Sequence, residues 1–359
     1  MKKRELVIGS KIVNNASDCF VIAEVGHNHQ GSVEMCKEIF KAAKTSGATA
    51  VKLQKRDNKS LYTASFYDTP YNSENAYGPT YGLHREALEF GEIEFRDLKQ
   101  YAEELGLIFF STAFDFKSAD FLARLDIPCY KLASGDITNI PLLKYVAEIG
   151  KPMIISTGAS SMEDVERAHD AIMPINSQLA ILQCTASYPC GFGEMDLNVI
   201  KSYRDAFPTA TIGLSSHDNG IAMAVAAYVL GARIIEKHFT LNRTMKGTDH
   251  AFSLEPQGMS KMVRDLSRLR LALGSDEKKI FESEKAARGK MGKKIVASRS
   301  LPVGHILQEG DLAFKSPGDG LPPYYAYELY GKVLKTTLTE DEELSFEHVE
   351  TRAPEVVFS

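Results

Sequence analysis

Side chains able to move protons, bind anions or ligate metals recur at one kind of place in this chain, the polar end of a short β-branched or apolar run. Glu24 stands near the end of Phe20–Val25, with Asn28 and His29 just after it. Lys52 and Gln54 belong to Ala50–Gln54, and Lys131, Ser134 and Asp136 to the end of Cys129–Leu132 and the residues beyond. Ser156 and Thr157 end Met153–Ser156, and Cys184, Thr185 and Tyr188 end and follow Leu179–Cys184. Ser215 and His217 follow Thr211–Leu214. Glu236 and His238 close Ile234–Lys237, with Asp249 in the loop beyond.

Two lysines, several hydroxyls and Gly158 near a helix start suggest an anion site. Lysine supplies a point charge with three donors, and hydroxyls and free amides at a helix start complete such a cradle. Two histidines on successive strands can meet one divalent metal, and with oxygens elsewhere Mn²⁺ or a similar ion suits them. Glu24 is the first carboxylate for proton transfer or for orienting water. Each residue taken singly also has an ordinary structural role: a hydrogen-bonded histidine, a solvent-facing Lys131, caps at Ser134 and Ser156, a buried Glu236–Lys237 pair. Their collection at successive strand ends is what favours a site.

The elements that must position them alternate. Helical periodicity marks Ser32–Lys44, with Ser32 as N-cap, then Phe95–Leu105, Ser118–Leu125, Pro141–Ile149, Met162–Met173, Leu197–Ala206, Ile221–Leu230 and Pro256–Leu273. Ile108–Thr112 completes a set of eight strands, each followed by a helix. That count predicts a closed (β/α)8 TIM barrel of the α/β class, with the reacting groups at the carboxyl ends of its strands. An open doubly wound sheet is the competing arrangement. It lacks its dinucleotide fingerprint here, because Gly191-Phe-Gly193 has no third glycine. A GxSxG nucleophile elbow is missing too, which argues against a serine hydrolase. The Tyr/Asn/Ser/Pro-rich stretch Lys55–Glu92 reads as a long binding loop, and Glu5–Ile12 as a small hairpin plugging the barrel floor. Residues 1–274 thus form the barrel domain, the charged stretch 275–294 a solvated linker helix, and 295–359 a small β-rich module.

The 359 residues are 44% hydrophobic and 25% charged, an ordinary globular composition. A formal net charge of −5 gives no basic excess for nucleic acid. The opening MKKRELVIGSK has no apolar stretch of a signal peptide, and the apolar run Ile221–Ala232 is short of a membrane span. Five cysteines without a CxxC pair read as free thiols of a reducing, cytoplasmic compartment.

The segments IAEVGHNHQG, AVKLQ, FFSTAFD, YKLASGDITNIPLL, KPMIISTGAS, LQCTASYP, IGLSSHD and GARIIEKHFTLNRTMKGTDHAFSLEP together resemble the sialic acid synthase family, in its order and over nearly the whole chain. The tail from Ile295 resembles that family's antifreeze-like SAF domain. The resemblance implies condensation of phosphoenolpyruvate with an open-chain N-acetylmannosamine-type sugar, giving a nine-carbon 2-keto acid and phosphate. It implies Glu24 as the catalytic residue and His217 and His238 as ligands of Mn²⁺, with Mg²⁺ or Co²⁺ as alternatives. It implies Lys52, Lys131, Ser134, Ser156 and Ser215 as the phosphoenolpyruvate cradle. Gln54, Tyr188 and Asp249 match the sugar contacts, with Asn75 and Asp136 alongside. The partners implied are phosphoenolpyruvate, an acylated aminohexose and a second copy of the chain, in a homodimer whose SAF domain covers the partner barrel.

The chain departs from the family pattern where Ser316 replaces an arginine, Asp136 a glutamate and Ala186 an asparagine. These departures bear on the sugar more than on the reaction. They leave open a 2,4-diacetamido-trideoxyhexose, giving legionaminic or pseudaminic acid, or a sugar 6-phosphate held by Lys55–Arg56 or His84–Arg85. Lys315, Arg288 and Lys290 are the cations available near the missing arginine. A pyruvate-dependent Schiff-base aldolase using Lys131 or Lys52, and a non-catalytic carbohydrate-binding protein, are the other function classes.

Overall fold

A computed structural model describes residues 4–351. Contacts divide the chain after Gly274 into two compact units. The first begins with an antiparallel hairpin, β1 (Glu5–Ile8) and β2 (Lys11–Asn14). Eight parallel strands follow and close into a barrel. They are β3 (Phe20–Glu24), β4 (Ala50–Lys55), β5 (Ile108–Ala113), β6 (Tyr130–Leu132), β7 (Met153–Ser156), β8 (Leu179–Gln183), β9 (Thr211–Ser216) and β10 (Ile234–His238). Strand β10 pairs with β9 on one side and β3 on the other, and so seals the sheet. The main helices between and after them are α1 (Val33–Thr45), α2 (Glu92–Glu104), α3 (Phe116–Arg124), α4 (Ile140–Glu148), α5 (Met162–Ile172), α6 (Val199–Ala206), α7 (Ala222–Val229) and α8 (Pro256–Leu273).

Local chemistry sets where these elements start. Ser32 caps α1 by accepting from the Met35 amide at 3.2 Å, and Ser161 and Asp164 form a reciprocal capping box on α5. Helix α3 starts at Phe116, ahead of the expected Ser118. Asp115 is its cap and takes both the amide and the hydroxyl of Ser118.

Side chains of a strand alternate between barrel interior and helix layer. Val21, Ala23, Val51, Leu53, Ile155, Ile181 and Ile235 therefore pack outward against the helices. Ile22, Ala50, Phe110, Cys129, Ile154, Ala180, Leu182 and Ile234 point inward and form a separate apolar floor with Leu6, Ile8 and Val13 of the hairpin. The hairpin does close the barrel floor. Above that floor the same inward-pointing register turns polar.

The segment after β4 is not a bare loop. Short helices at Asn58–Leu61, Ala64–Tyr67 and Tyr81–Glu86 fold it, around the edge-to-face and tilted rings of Tyr62, Phe66, Tyr71 and Tyr81.

The second unit contains α9 (Glu282–Met291), which supplies no buried residue, and two small antiparallel sheets. One pairs β11 (Lys294–Ala297) with β12 (Leu312–Lys315), the other β13 (Val333–Leu334) with β14 (Val349–Glu350). Its core is Ile295, Leu301, Leu307, Leu312, Leu329, Leu334, Leu338, Leu344 and Val349. Buried Asp311 ties its loops together by accepting from Arg299, His305 and the Gln308 amide at 2.6–2.8 Å. Lys315 pairs with Asp341, and Ser316 accepts from Lys293 at 2.6 Å, so Lys315 is already committed within its own unit.

Among the described residues, no helix is long and apolar enough to cross a membrane. All five cysteines are free.

Candidate active site

The polar upper layer of the barrel lines a cavity of about 740 Å³ at the carboxyl ends of the strands. Glu24 from β3, Lys52 and Gln54 from β4, Lys131 from β6 and Ser156 from β7 reach it. So do Ser215 and His217 from β9 and its end, and Glu236 and His238 from β10. Ser134, Tyr188, Asp249 and Asn75 come in from loops. Twelve of the thirteen site residues that the family resemblance implies therefore share one cavity. Asp136 does not line it. It sits in a short turn (Ser134–Asp136), where it accepts from Asn139 at 3.3 Å. Burial raises its carboxyl to about 6.

Lys52 organises the floor of the site. Its ammonium is 2.7 Å from Glu24 Oε2, donates to Thr112 Oγ1 at 2.7 Å and stands 3.6 Å from Glu236 Oε1. Gln54 donates to the other Glu24 oxygen at 2.7 Å. Burial lifts the Glu24 carboxyl from 4.5 to about 7; Lys52 pulls it down, and the neighbouring Glu236 pushes it further up. Glu236 goes the other way. Burial opposes its charge, but Lys52 and Lys131 outweigh burial and hold it below the carboxylate range. Two neighbouring carboxylates thus divide into one that titrates near neutrality and one that stays ionised. Lys131 is buried, donates to the Leu132 carbonyl at 2.9 Å, and is lowered by that burial. Ser156 Oγ and Glu236 Oε2 are buried without a protein partner. Ser134 Oγ accepts from the Gly158 amide at 2.9 Å. A Cβ at Gly158 would lie 2.9 Å from that same oxygen, so glycine lets the loop come this close.

The two histidines stand side by side on neighbouring strands, ring centroids 5.4 Å apart and planes tilted by 55°. His217 Nδ1 is 3.0 Å from the Thr185 carbonyl. A carbonyl only accepts, so Nδ1 carries the proton and Nε2 keeps its lone pair. Burial lowers His217 to about 4 and also lowers His238. Both are neutral imidazoles at pH 7, the form that binds metal. His238 Nδ1 has no hydrogen-bond partner, and Asp249 Oδ2 lies 3.6 Å away. Gly26 makes that approach possible: it turns with φ 53°, and a Cβ there would lie 2.8 Å from Asp249 Oδ2. Tyr188 packs on the His217 ring at 4.1 Å, and Phe252 closes the edge of His238 at 4.9 Å. Among the described residues no three His, Cys, Asp or Glu side chains are grouped to hold a metal ion. Two neutral imidazoles fit a divalent cation that leaves its remaining positions to substrate and water.

Several other expectations are corrected. Lys237 does not pair with Glu236. It points outward and donates to Asp218 Oδ1 at 2.8 Å, because adjacent residues of a strand face opposite sides. Asn28 and His29 are not in the cavity. Asn28 donates to the Phe239 carbonyl and Ser253 Oγ, and His29 stacks on Phe90 at 4.3 Å. Thr157 faces the helix layer, bonded to the Leu182 carbonyl and to Tyr203. Lys131 is not solvent-facing.

In their place His27 and Thr112 line the cavity, together with Arg56 and Arg85, one from each of the two pairs expected to hold a sugar phosphate. Thr112 follows the inward period of β5 from Phe110 and was readable from it. His27 lies past the strand end, where no period points to it. The two arginines come from the segment after β4. Lys55 turns away to Glu89, and His84 packs on Tyr71.

The NeuB family model matches residues 39–278, and the SAF domain model residues 294–350. The chain belongs to the NeuB family. It is 38% identical over 345 residues to the N-acetylneuraminate-9-phosphate synthase of Homo sapiens, covering 96% of both chains. It is 34% identical to the N,N'-diacetyllegionaminic acid synthase of Legionella pneumophila, covering 98% of this chain and 100% of that one. Among solved structures it resembles the N-acetylneuraminic acid (sialic acid) synthetase of Leptospira borgpetersenii in complex with citrate. That match has a TM-score of 0.70 and 30% identity, over 79% of this chain and 95% of the other. NeuB-family relatives of similar identity thus carry different product names, and the family alone leaves the acceptor sugar undecided.

Proposed function

We propose that the chain condenses phosphoenolpyruvate with an open-chain N-acyl mannosamine-type sugar to a nine-carbon 2-keto acid and phosphate. The observation that carries this reading is the pair of buried lysines, Lys52 and Lys131, in one cavity with a raised carboxyl and two neutral imidazoles. Buried cations of this kind suit a ligand that brings a carboxylate and a phosphate. Membership of a synthase family whose relatives are named for nonulosonic acids supports it.

In this reading Lys52 and Lys131 hold the carboxylate and phosphate of the enol phosphate, with Ser134, Ser156 and Ser215 as hydroxyl partners. Gln54, Asn75, Tyr188 and Asp249 position the sugar so that its aldehyde faces the enol carbon. His217 and His238 would hold a divalent ion, Mn²⁺ or else Mg²⁺ or Co²⁺, which supplies Lewis acidity toward a carbonyl oxygen. The C3 carbon of the enol bonds to the aldehyde carbon, and the aldehyde oxygen takes up a proton. Glu24 accepts a proton from the water that adds at C2. The bond from C2 to the phosphate-bearing oxygen then breaks, phosphate leaves with that oxygen and takes up the proton of the C2 hydroxyl, and C2 becomes the keto carbon. The ionised Glu236 offsets the positive character that builds at C2, while the ammonium of Lys52 offsets the negative charge of the enol phosphate.

The test follows consumption of the enol phosphate by purified protein with an acyl-mannosamine panel, and identifies the product by mass. Acceptor-dependent consumption with a nine-carbon 2-keto acid supports the reading. Borohydride trapping of pyruvate on Lys52 or Lys131, without consumption of the enol phosphate, favours the aldolase instead.

A further inference from the structure

The polar network does not stop at Glu24. Gln54 carries it outward: its amide nitrogen donates to Glu24, and its oxygen accepts from Arg56 Nη2 at 2.6 Å. Arg56 Nη1 then lies 3.1 Å from His27 Nε2, and on the opposite edge of the ring Arg85 Nη1 lies 2.9 Å from His27 Nδ1. A neutral imidazole has one N–H and one lone pair. It can accept from one guanidinium only, so at its other nitrogen N–H faces N–H. Burial, reinforced by both guanidiniums, keeps His27 well below its ordinary pKa and therefore neutral. Arg85 Nε is buried and has no partner.

The charges nearby do not cancel. Glu89 Oε2 already takes Lys55 Nζ at 3.0 Å and the Arg56 amide at 3.2 Å, and Oε1 stands 3.8 Å from Arg56 Nη1, beyond a hydrogen bond. Asp249, the other carboxylate in range, lies against His238. Both guanidiniums line the cavity. Lys52 and Gln54 alternate along β4 and Arg56 lies just past its end, so Arg56 stands toward the rim above Lys52. That leaves an enol phosphate at the floor and a six-carbon acceptor above it, with the acceptor's far end at the arginines.

We propose that Arg56 and Arg85 bind a phosphate at the far end of the acceptor, which makes the substrate a phosphorylated N-acyl hexosamine. This rests on the synthase reading above and names its acceptor class. Guanidiniums recognise phosphate through paired N–H donors. The phosphate oxygens accept from Arg85 Nε and draw Nη1 off the imidazole, which removes the N–H conflict at His27. A neutral hexosamine leaves both cations facing one lone pair.

The test compares N-acetylmannosamine with its 6-phosphate on the full chain, Arg56→Gln and Arg85→Gln, by rate of phosphoenolpyruvate consumption. The wild type is expected to prefer the phosphorylated sugar at least tenfold in kcat/KM, and each variant to lose at least tenfold of that preference. Equal use of both sugars by the wild type, or an unchanged preference in both variants, overturns the proposal. A binding arm keeps the outcome independent of turnover and of folding in the glutamine variants. In EDTA, where turnover is suppressed, and with excess phosphoenolpyruvate filling the floor, the 6-phosphate raises Tm more than the neutral sugar in the wild type. Arg85→Lys, which keeps the charge but loses the fork, shows a smaller rise. Identical Tm shifts for the two sugars refute the proposal. Absence of enol phosphate consumption with either sugar refutes the synthase reading, and the binding arm then still decides the arginines.

Discussion

Replacing Glu24 with glutamine tests the site through stability and chemistry together. The carboxyl is 1% exposed, and burial moves it from 4.5 to about 7. The unfolded chain releases this proton near 4.5, whereas the folded one keeps it until about 7. Folded protein therefore binds the extra proton between those values, and stability falls as pH rises through that window. Above it, the ionised carboxylate costs the fold roughly 3 kcal/mol, at about 1.36 kcal/mol per pKa unit. Glutamine copies the shape of the protonated acid and carries no charge, while Lys52 retains Glu236 at 3.6 Å. Glu24→Gln is expected to melt several degrees above wild type at about pH 8.5, with the two converging near pH 4.5. Its rate of phosphoenolpyruvate consumption should fall about 10²–10⁴-fold. The wild-type rate should climb with pH through about 7, a limb the variant lacks. A variant that melts below wild type at the higher pH, or that keeps its rate within threefold, refutes the reasoning.

Three further outcomes follow from the same geometry. Glu236→Gln removes the anion shared by Lys52 and Lys131, so the free protein loses stability and phosphoenolpyruvate raises its Tm more than it does for wild type; equal shifts contradict this. Lys237→Met strands buried Asp218 and should cost about 3–5 kcal/mol in urea unfolding, with the KM for phosphoenolpyruvate within twofold of wild type. A KM change without loss of stability would put Lys237 in the cavity. Chelation with EDTA should lower turnover at least tenfold and Mn²⁺ restore it. His217→Ala should lose the restoration while keeping its circular dichroism, and full restoration in that variant removes the histidine from the metal site.

The barrel was legible because two periods coexist in the sequence. Inward positions such as Ile22 and Glu24, or Ala50 and Lys52, carry apolar residues at the floor and chemical ones at the rim. The helices between them show their own repeat and caps such as Ser32. The same alternation separates Glu236 from Lys237, which treating neighbours as a pair had overlooked. What lay beyond the strand ends was less legible. His27 rather than His29 reaches the cavity, because the turn after Glu24 has no fixed period and Gly26 at positive φ redirects it. Arg56 and Arg85 are 29 residues apart in sequence and meet only through His27. No pattern in the tyrosine-rich segment announces that meeting. Asp136 had the right type in the right motif, yet Asn139 holds it aside.

The central claim is C–C bond formation with release of the enol phosphate's bridging oxygen to phosphate. Phosphoenolpyruvate labelled with ¹⁸O at that bridge tests it most directly, with the products read by mass. The account predicts the label in inorganic phosphate and none in the keto acid, and only when an acceptor sugar is present. Label retained in the keto acid, or phosphate released without any sugar, would contradict it.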